Sequence, residues 1–186
     1  MINQVAYTVL TNIMKIAFGY KQGVGKDTAV DYLHNKHGGD HLSFAFPIYD
    51  ILTYTQCIYK FPHQKDRKFL QFIGEWARNI NQDTWVNILK EKDINLPYRH
   101  RWISDLRYLN EFYALKKEGW VCVRIDKELD KVGREIRMGS GSASHQSEVE
   151  LTDSDLPWDY VIQNNSSIQK FYESLDDLVN KINHTR

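Results

Sequence analysis

The segment Lys15 to Leu33, KIAFGYKQGVGKDTAVDYL, limits what this chain can fold into more than any other stretch. Ile16-Ala17-Phe18 is a short apolar run whose flanks predict a buried strand. Gly19 to Gly25 is a glycine-punctuated loop, and after Lys26-Asp27-Thr28 the residues Ala29, Tyr32 and Leu33 repeat at helical spacing. Strand, glycine loop, Gly-Lys and helix in that order are the layout of a phosphate-binding loop. Glycines let the backbone curl until successive N–H groups converge on phosphate oxygens, and the positive end of the helix dipole faces the same point. Lys26 adds a mobile ammonium for the outer phosphates. A glycine-rich turn with a chance Gly-Lys is the plainer alternative, and the flanking strand and helix argue against it. Gly23, Val24, Gly25, Lys26, Asp27 and Thr28 are therefore the candidate nucleotide-binding residues.

Two departures from G-x-x-x-x-G-K-[ST] narrow the class. The position five before Gly25 is Tyr20, and the nearest glycine comes one place earlier, at Gly19. Asp27 replaces the usual magnesium-binding hydroxyl, which appears one place later at Thr28. Motor proteins and GTPases depend on that hydroxyl, so the pattern argues against them. Small-molecule kinases of the adenylate kinase type read G-K-G-T, whose spacing G-K-D-T matches.

A chain of 186 residues is long enough for one domain with a substantial core. Its 24 Lys and Arg balance its 24 Asp and Glu, so no global field favours a polynucleotide or an acidic membrane. A small anion held by a local arginine cluster fits better. Cys57 and Cys122 have no zinc-like spacing; Cys122, inside Val121-Cys122-Val123, reads as a buried thiol in a reducing cytoplasm. No membrane span or signal-peptide layout is visible, and residues 1–12 read as an extension before the first strand.

Along the chain, strands are predicted at 42–45, 102–105, 120–125 and 157–162, alternating with helices. That alternation predicts an α/β fold of the P-loop NTPase type: three layers, a five-stranded parallel sheet with helices on both faces, a helical insert over 46–98 and a lid over 127–150. In the insert, Pro47 starts a helix with Ile51, Leu52 and Ile58 as apolar contacts. Phe69, Phe72, Ile73 and Trp76 form an apolar stripe on a second helix, and Asp83 caps a third carrying Trp85, Ile88 and Leu89. Trp76 and Trp85 read as core. A helix over 108–117 turns Leu109, Phe112 and Tyr113 inward. Ser166 or Ser167 caps a final amphipathic helix.

Phosphoryl transfer needs positioning and charge neutralisation more than covalent help. Asp105, at the end of a strand, is the candidate magnesium-organising carboxylate, acting directly or through bound water, and could also cap the helix that follows. Asp27 and Thr28 complete the candidate metal set. The polar segment after residue 126 carries Lys127, Lys131, Arg134 and Arg137; a surface loop and a basic lid that closes over phosphates are both open readings. Arg67 and Arg78 flank the apolar stripe, and a solvated helix face and a substrate contact are likewise both open.

Taken in order, these residues are similar to the phage-type deoxynucleoside monophosphate kinases, relatives of adenylate kinase, and more distantly to animal-type phosphomevalonate kinases. The resemblance runs through Gly25-Lys26-Asp27-Thr28, Phe46-Pro47-Ile48, Arg67, Leu70, Gln71 and Gly74, then Trp85-Val86. It continues through Asp105-Leu106-Arg107 with Glu111, Lys127, His145, Ser147-Glu148, and Asp159 to Ile162 with Asn164. It implies ATP- and Mg²⁺-dependent transfer of the γ-phosphoryl group to a deoxynucleoside 5′-monophosphate in the cytoplasm, a host's cytoplasm if the chain is phage-encoded. It also implies that Lys26, the loop and Asn164 hold ATP, that Arg107, Arg134 and Arg137 contact phosphates, and that Arg67, Gln71, Arg78 and Glu148 face the monophosphate. A homodimer is left open. The competing readings are a kinase for another phosphorylated metabolite, such as phosphomevalonate, and a nucleotide-binding protein that no longer turns over.

Overall fold

The computed structural model describes residues 13–97, 99–128, 150–152 and 155–185. Five strands form one all-parallel sheet in the order β2-β3-β1-β4-β5, with β1 at Lys15–Gly19, β2 at Asp40–Leu42, β3 at Arg101–Leu106, β4 at Val121–Asp126 and β5 at Tyr160–Gln163. The helices are α1 (Lys26–His37), α2 (Phe46–Tyr59), α3 (Arg67–Ile80), α4 (Thr84–Ile94), α5 (Leu109–Lys117) and α6 (Ile168–Thr185). This is the P-loop-type α/β architecture that the alternation of strands and helices predicts.

Period-two alternation along the central strand assigns its side chains to two cores. Ile16 and Phe18 join α1 and α6 residues such as Val30, Leu33, Phe171 and Leu175 on one face. Ala17 points the other way, with Ile103 and Leu106, into a second core holding Phe112 of α5 and Trp85 and Leu89 of α4. Each large side chain buried this way contributes roughly 1.5–3 kcal/mol by transfer from water, so the central strand is anchored from both sides. Cys122 is fully buried, and burial pushes its thiol up to about 12, as a structural cysteine requires.

Several elements differ from expectation, for physical reasons. The second strand ends at Leu42 rather than continuing to Ala45, because Ser43 to Ala45 turn to embrace Asp105. In α3 the expected apolar stripe is covered only in part: Ile73 packs on the second core and Phe69 is half-buried, while Phe72 is 63% and Trp76 54% exposed. Gly74 and Ala77 are buried instead, and the small glycine lets Trp85 donate its indole N–H to the Gly74 carbonyl at 3.1 Å and brings Ile48 of α2 close. Trp85 is core as expected; Trp76 is not. In α2, Leu52 is buried with Ile48 and Gln56, whereas Ile51 and Ile58 face outward. Ile88 and Tyr113 are exposed as well. Asp83 makes no cap bond; its carboxylate accepts from the Asn110 side chain at 3.0 Å. Strand β5 starts at Tyr160, three residues after Pro157. Ser167 does cap α6, accepting from the Lys170 N–H. Among the described residues no helix is long and apolar enough to cross a membrane.

Candidate active site

The loop between β1 and α1 keeps the register of a phosphate loop in spite of Tyr20. Tyr20 has φ +96°, the left-handed conformation that favours glycine, and Gly23 and Gly25 follow at +76° and +108°. Tyrosine therefore adopts the backbone shape of the loop's absent first glycine. Gly19 serves a different purpose: a Cβ there would stand 2.5 Å from the Trp158 ring, so packing excludes one. At Gly25 a Cβ would stand 2.6 Å from Asn164 Nδ2, which donates to the Val24 carbonyl at 2.8 Å. Asn164, expected at the nucleotide, thus buttresses the loop from the end of β5. The Tyr20 ring lies 4.1 Å from the Arg124 guanidinium, whose Nε donates to Asp126 at 2.9 Å.

Lys26 is only 6% exposed at the first position of α1. Its ammonium donates to the Tyr20 carbonyl at 3.0 Å and the Lys21 carbonyl at 2.5 Å, so it sits inside the curl of the loop. Asp27 is exposed and Thr28 half-buried just beyond it.

On the β2–β3 side lies a cleft of about 380 Å³. Asp27, Arg67, Gln71, Arg78, Asp105 and Arg107, drawn from α1, α3, β3 and the turn after β3, all line it. Residues far apart in sequence thus converge on one space that also reaches the loop. Asp105 accepts from Ser43 Oγ at 2.6 Å, the Ala45 N–H at 3.0 Å and the Phe44 N–H at 3.2 Å. Its carboxylate ties the start of α2 to the end of β3; it caps that entry and not the helix after Leu106, which begins only at Leu109. Arg134, Arg137 and Glu148, with Lys131, His145 and Ser147, lie outside the described residues.

Four cleft residues without a role in the sequence pattern are brought in by the fold. His41 sits 3.3 Å from Ser104 Oγ, Tyr108 stacks under Arg78 at 3.8 Å, and Glu111 faces Arg78 at 3.4 Å. Glu111 is 2% exposed, and its carboxyl is pushed up to about 7, chiefly by burial. N–H bonds from Arg107 and Tyr108 and the charge of Arg78 work against that rise. A glutamate at the third position of a helix is a capping signal in the sequence; the partnership with an arginine 33 residues earlier is visible only in three dimensions.

A protein of Acanthamoeba polyphaga mimivirus named "Putative deoxynucleotide monophosphate kinase" is 30% identical to this chain, over 83% of the chain and 90% of its own length. The chain belongs to that family of P-loop kinases. A second relative of this kinase, "Uncharacterized protein ORF77" of Ictalurid herpesvirus 1, is 32% identical over 84% of the chain and 66% of its own length. No family profile matches the chain. Two solved structures share the kinase's fold. An unliganded sugar kinase from Janibacter sp. has a TM-score of 0.52 at 12% identity, covering 91% of this chain and 95% of its own. The TT1252 protein of Thermus thermophilus has 0.53 at 14%, covering 92% and 98%.

Proposed function

We propose that this chain transfers the γ-phosphoryl group of ATP to a deoxynucleoside 5′-monophosphate, giving the diphosphate and ADP. The observation that carries this reading is the shared cavity. Gln22 and Asp27 of the loop line the same cleft as Arg67, Gln71, Arg78 and Arg107, so donor and acceptor phosphates would meet in one space. In the step, an oxygen of the acceptor phosphate attacks the γ-phosphorus, the bond from that phosphorus to the bridging oxygen breaks, and ADP leaves with the electron pair. Such transfers depend on alignment and charge neutralisation.

The residues fit both groups. The loop, with its backbone at positive φ and its lysine, has the form that receives a polyphosphate, and Lys26 would exchange its carbonyl partners for the outer phosphates. Asp27, Thr28 and, through water, Asp105 would hold Mg²⁺, which usually keeps several waters and only one or two protein carboxylates. When bound, that ion neutralises charge on the phosphate oxygens. The three donors on Asp105 favour the water-mediated role, because they leave its carboxylate anchored to Ser43, Phe44 and Ala45. On the acceptor side, Arg67, Arg78 and Arg107 would take the monophosphate, while Phe46, Ile48, Tyr49 and Leu70 supply an apolar wall for a base.

The name of the mimivirus relative supports the choice of acceptor. The test is an ADP-release panel with Mg·ATP against dTMP, dGMP, dCMP, dAMP and phosphomevalonate. Turnover with one or more of the deoxynucleotides is expected. Turnover with phosphomevalonate alone would replace the acceptor, and ATP binding with no ADP from any acceptor would leave a silent binder.

A further inference from the structure

We propose that Glu111 is a positioning residue for the acceptor phosphate: its buried carboxylate fixes the Arg107 turn through one oxygen and Arg78 through the other. Two guanidinium groups from different elements would then reach the cleft as a matched pair. The inference rests on the acceptor reading above and concerns how that site is built.

The geometry separates Glu111 from an ordinary helix cap. Its Oε2 accepts from the Arg107 N–H at 3.0 Å and the Tyr108 N–H at 3.1 Å, which satisfies the start of α5. A cap needs no more, and capping glutamates normally stand in water. Here the second oxygen, Oε1, turns to Arg78 Nη2 at 3.4 Å, and the whole side chain is buried. Burying a carboxylate is costly unless a partner compensates, so the contact has to do something that a surface glutamate could not.

Arg78 completes the case. Its guanidinium lies 3.8 Å from the centre of the Tyr108 ring, and its Nε is buried without a hydrogen-bond partner among the described residues. A Cβ on Gly74 would stand 3.2 Å from Nη1, so the absence of a side chain at Gly74 leaves the slot that the arginine occupies. Ring, glycine and carboxylate thus hold the guanidinium on three sides at the cleft wall. Its bonding capacity is left underused, as an arginine awaiting an anion would be. Among the described residues the charged groups that act on Glu111 are Arg78 on α3 and Asp105 on β3, while Arg107 contributes its backbone N–H; Glu150, which accepts from the Leu109 N–H at 3.3 Å, faces the same helix start.

The experiment uses the full chain and the deoxynucleotide with the highest turnover in the panel. Glu111→Gln should raise KM for the acceptor about tenfold or more, the scale of losing a hydrogen bond to a charged group, and leave KM for ATP unchanged. In an Arg78→Met background the same change should add less than about twofold, because its target is gone. Additive effects, an unchanged acceptor KM, or an equal rise in KM for ATP would each overturn the proposal. A readout on the unsubstituted protein covers the case in which Glu111→Gln does not fold. The Arg78 Nε–H NMR signal, assigned by its loss in Arg78→Met, should shift with a midpoint near the Glu111 value of about 7. A signal flat across that range overturns the coupling. If no monophosphate is turned over, the acceptor reading falls, and the NMR titration still decides whether Glu111 governs Arg78.

Discussion

The two ends of the sheet each hold a charged arginine inside the protein, and they treat it in opposite ways. At the amino ends of the strands Arg101 is 4% exposed and saturated in the sense that all three guanidinium nitrogens have acceptors. It binds Asp93 at 2.8 Å, Asp40 at 3.3 Å, the Pro97 carbonyl at 2.5 Å and the Arg99 carbonyl at 2.6 Å. Asp93 also holds Lys15 at 2.7 Å, which fastens the end of α4 to β1 and β3. At the carboxyl ends Arg78 has, among the described residues, one long contact to Glu111, an aromatic ring, and an Nε with no partner. An arginine with every guanidinium nitrogen bonded is a structural tie. One held in place with donors to spare is what the proposed acceptor site requires, and on that reading the difference marks the working end of the molecule more firmly than burial does.

The largest expected effect breaks the closed end. Arg101→Met should lower the unfolding free energy by about 3–5 kcal/mol, because Asp40 and the Pro97 and Arg99 carbonyls lose their buried donor and Asp93 keeps Lys15 alone. Urea denaturation measures it, and kcat per folded molecule should stay near that of the parent. A loss of activity without a loss of stability would mean that the saturated arginine is not the structural one.

Lys26→Ala is the converse. Its turnover should fall by about 10²–10³ or more, the range for removing a charge aimed at a transition state, with an unchanged far-UV circular dichroism spectrum. Steady-state assays with Mg·ATP and the best acceptor provide the measurement. Undiminished kcat would remove Lys26 from the chemistry.

Glu111 sharpens the comparison through pH. In the unfolded chain it titrates near its ordinary 4.5, and in the fold at about 7, so the folded protein holds its proton more tightly. A raised carboxyl pKa adds stability below about 4.5; that contribution declines as pH climbs toward 7 and is gone above it. The full difference is on the order of 3 kcal/mol. The unfolding free energy of the parent, taken relative to Glu111→Gln, should therefore fall between pH 4.5 and pH 8. A flat or rising difference would show that Arg78 already compensates the buried charge in full.

The closed end and the open end were not equally legible in the sequence. The loop, its lysine and the alternation of strands and helices could be read because glycine placement and apolar runs are local signals. Arg67, Gln71, Arg78, Asp105 and Arg107 could be placed together through the resemblance, and they do line one cleft. What escaped was orientation. Phe72 and Trp76 recur at helical spacing with Phe69 and Ile73, and periodicity identifies a face without saying whether a neighbour covers it. The small residues Gly74 and Ala77 took the packed side, because close approach to Trp85 and Ile48 rewards a missing side chain. Ser43 looked like strand, yet its hydroxyl is spent on a carboxylate 62 residues away. Glu111 entered only through the resemblance and without a role, since its contact with Arg78 depends on how α3 lies across α5.

The smallest expected effect concerns Tyr20, where the open end stores strain. A tyrosine at φ +96° costs roughly 1–3 kcal/mol in backbone energy, which a glycine would not incur. Against this, its ring packs 4.1 Å from the Arg124 guanidinium, a contact worth about 0.5–1 kcal/mol where partly exposed. Tyr20→Gly should consequently leave the protein as stable as the parent or up to about 1–2 kcal/mol more stable in urea denaturation. Tyr20→Ala, which keeps the strain and loses the ring, should be less stable than either. Near the saturated Arg101 no such gain is available, because its donors already have their partners. If Tyr20→Gly proved less stable than Tyr20→Ala, relief of the left-handed backbone would not decide the balance, and the aromatic ring over Arg124 would have to be what holds the loop in shape.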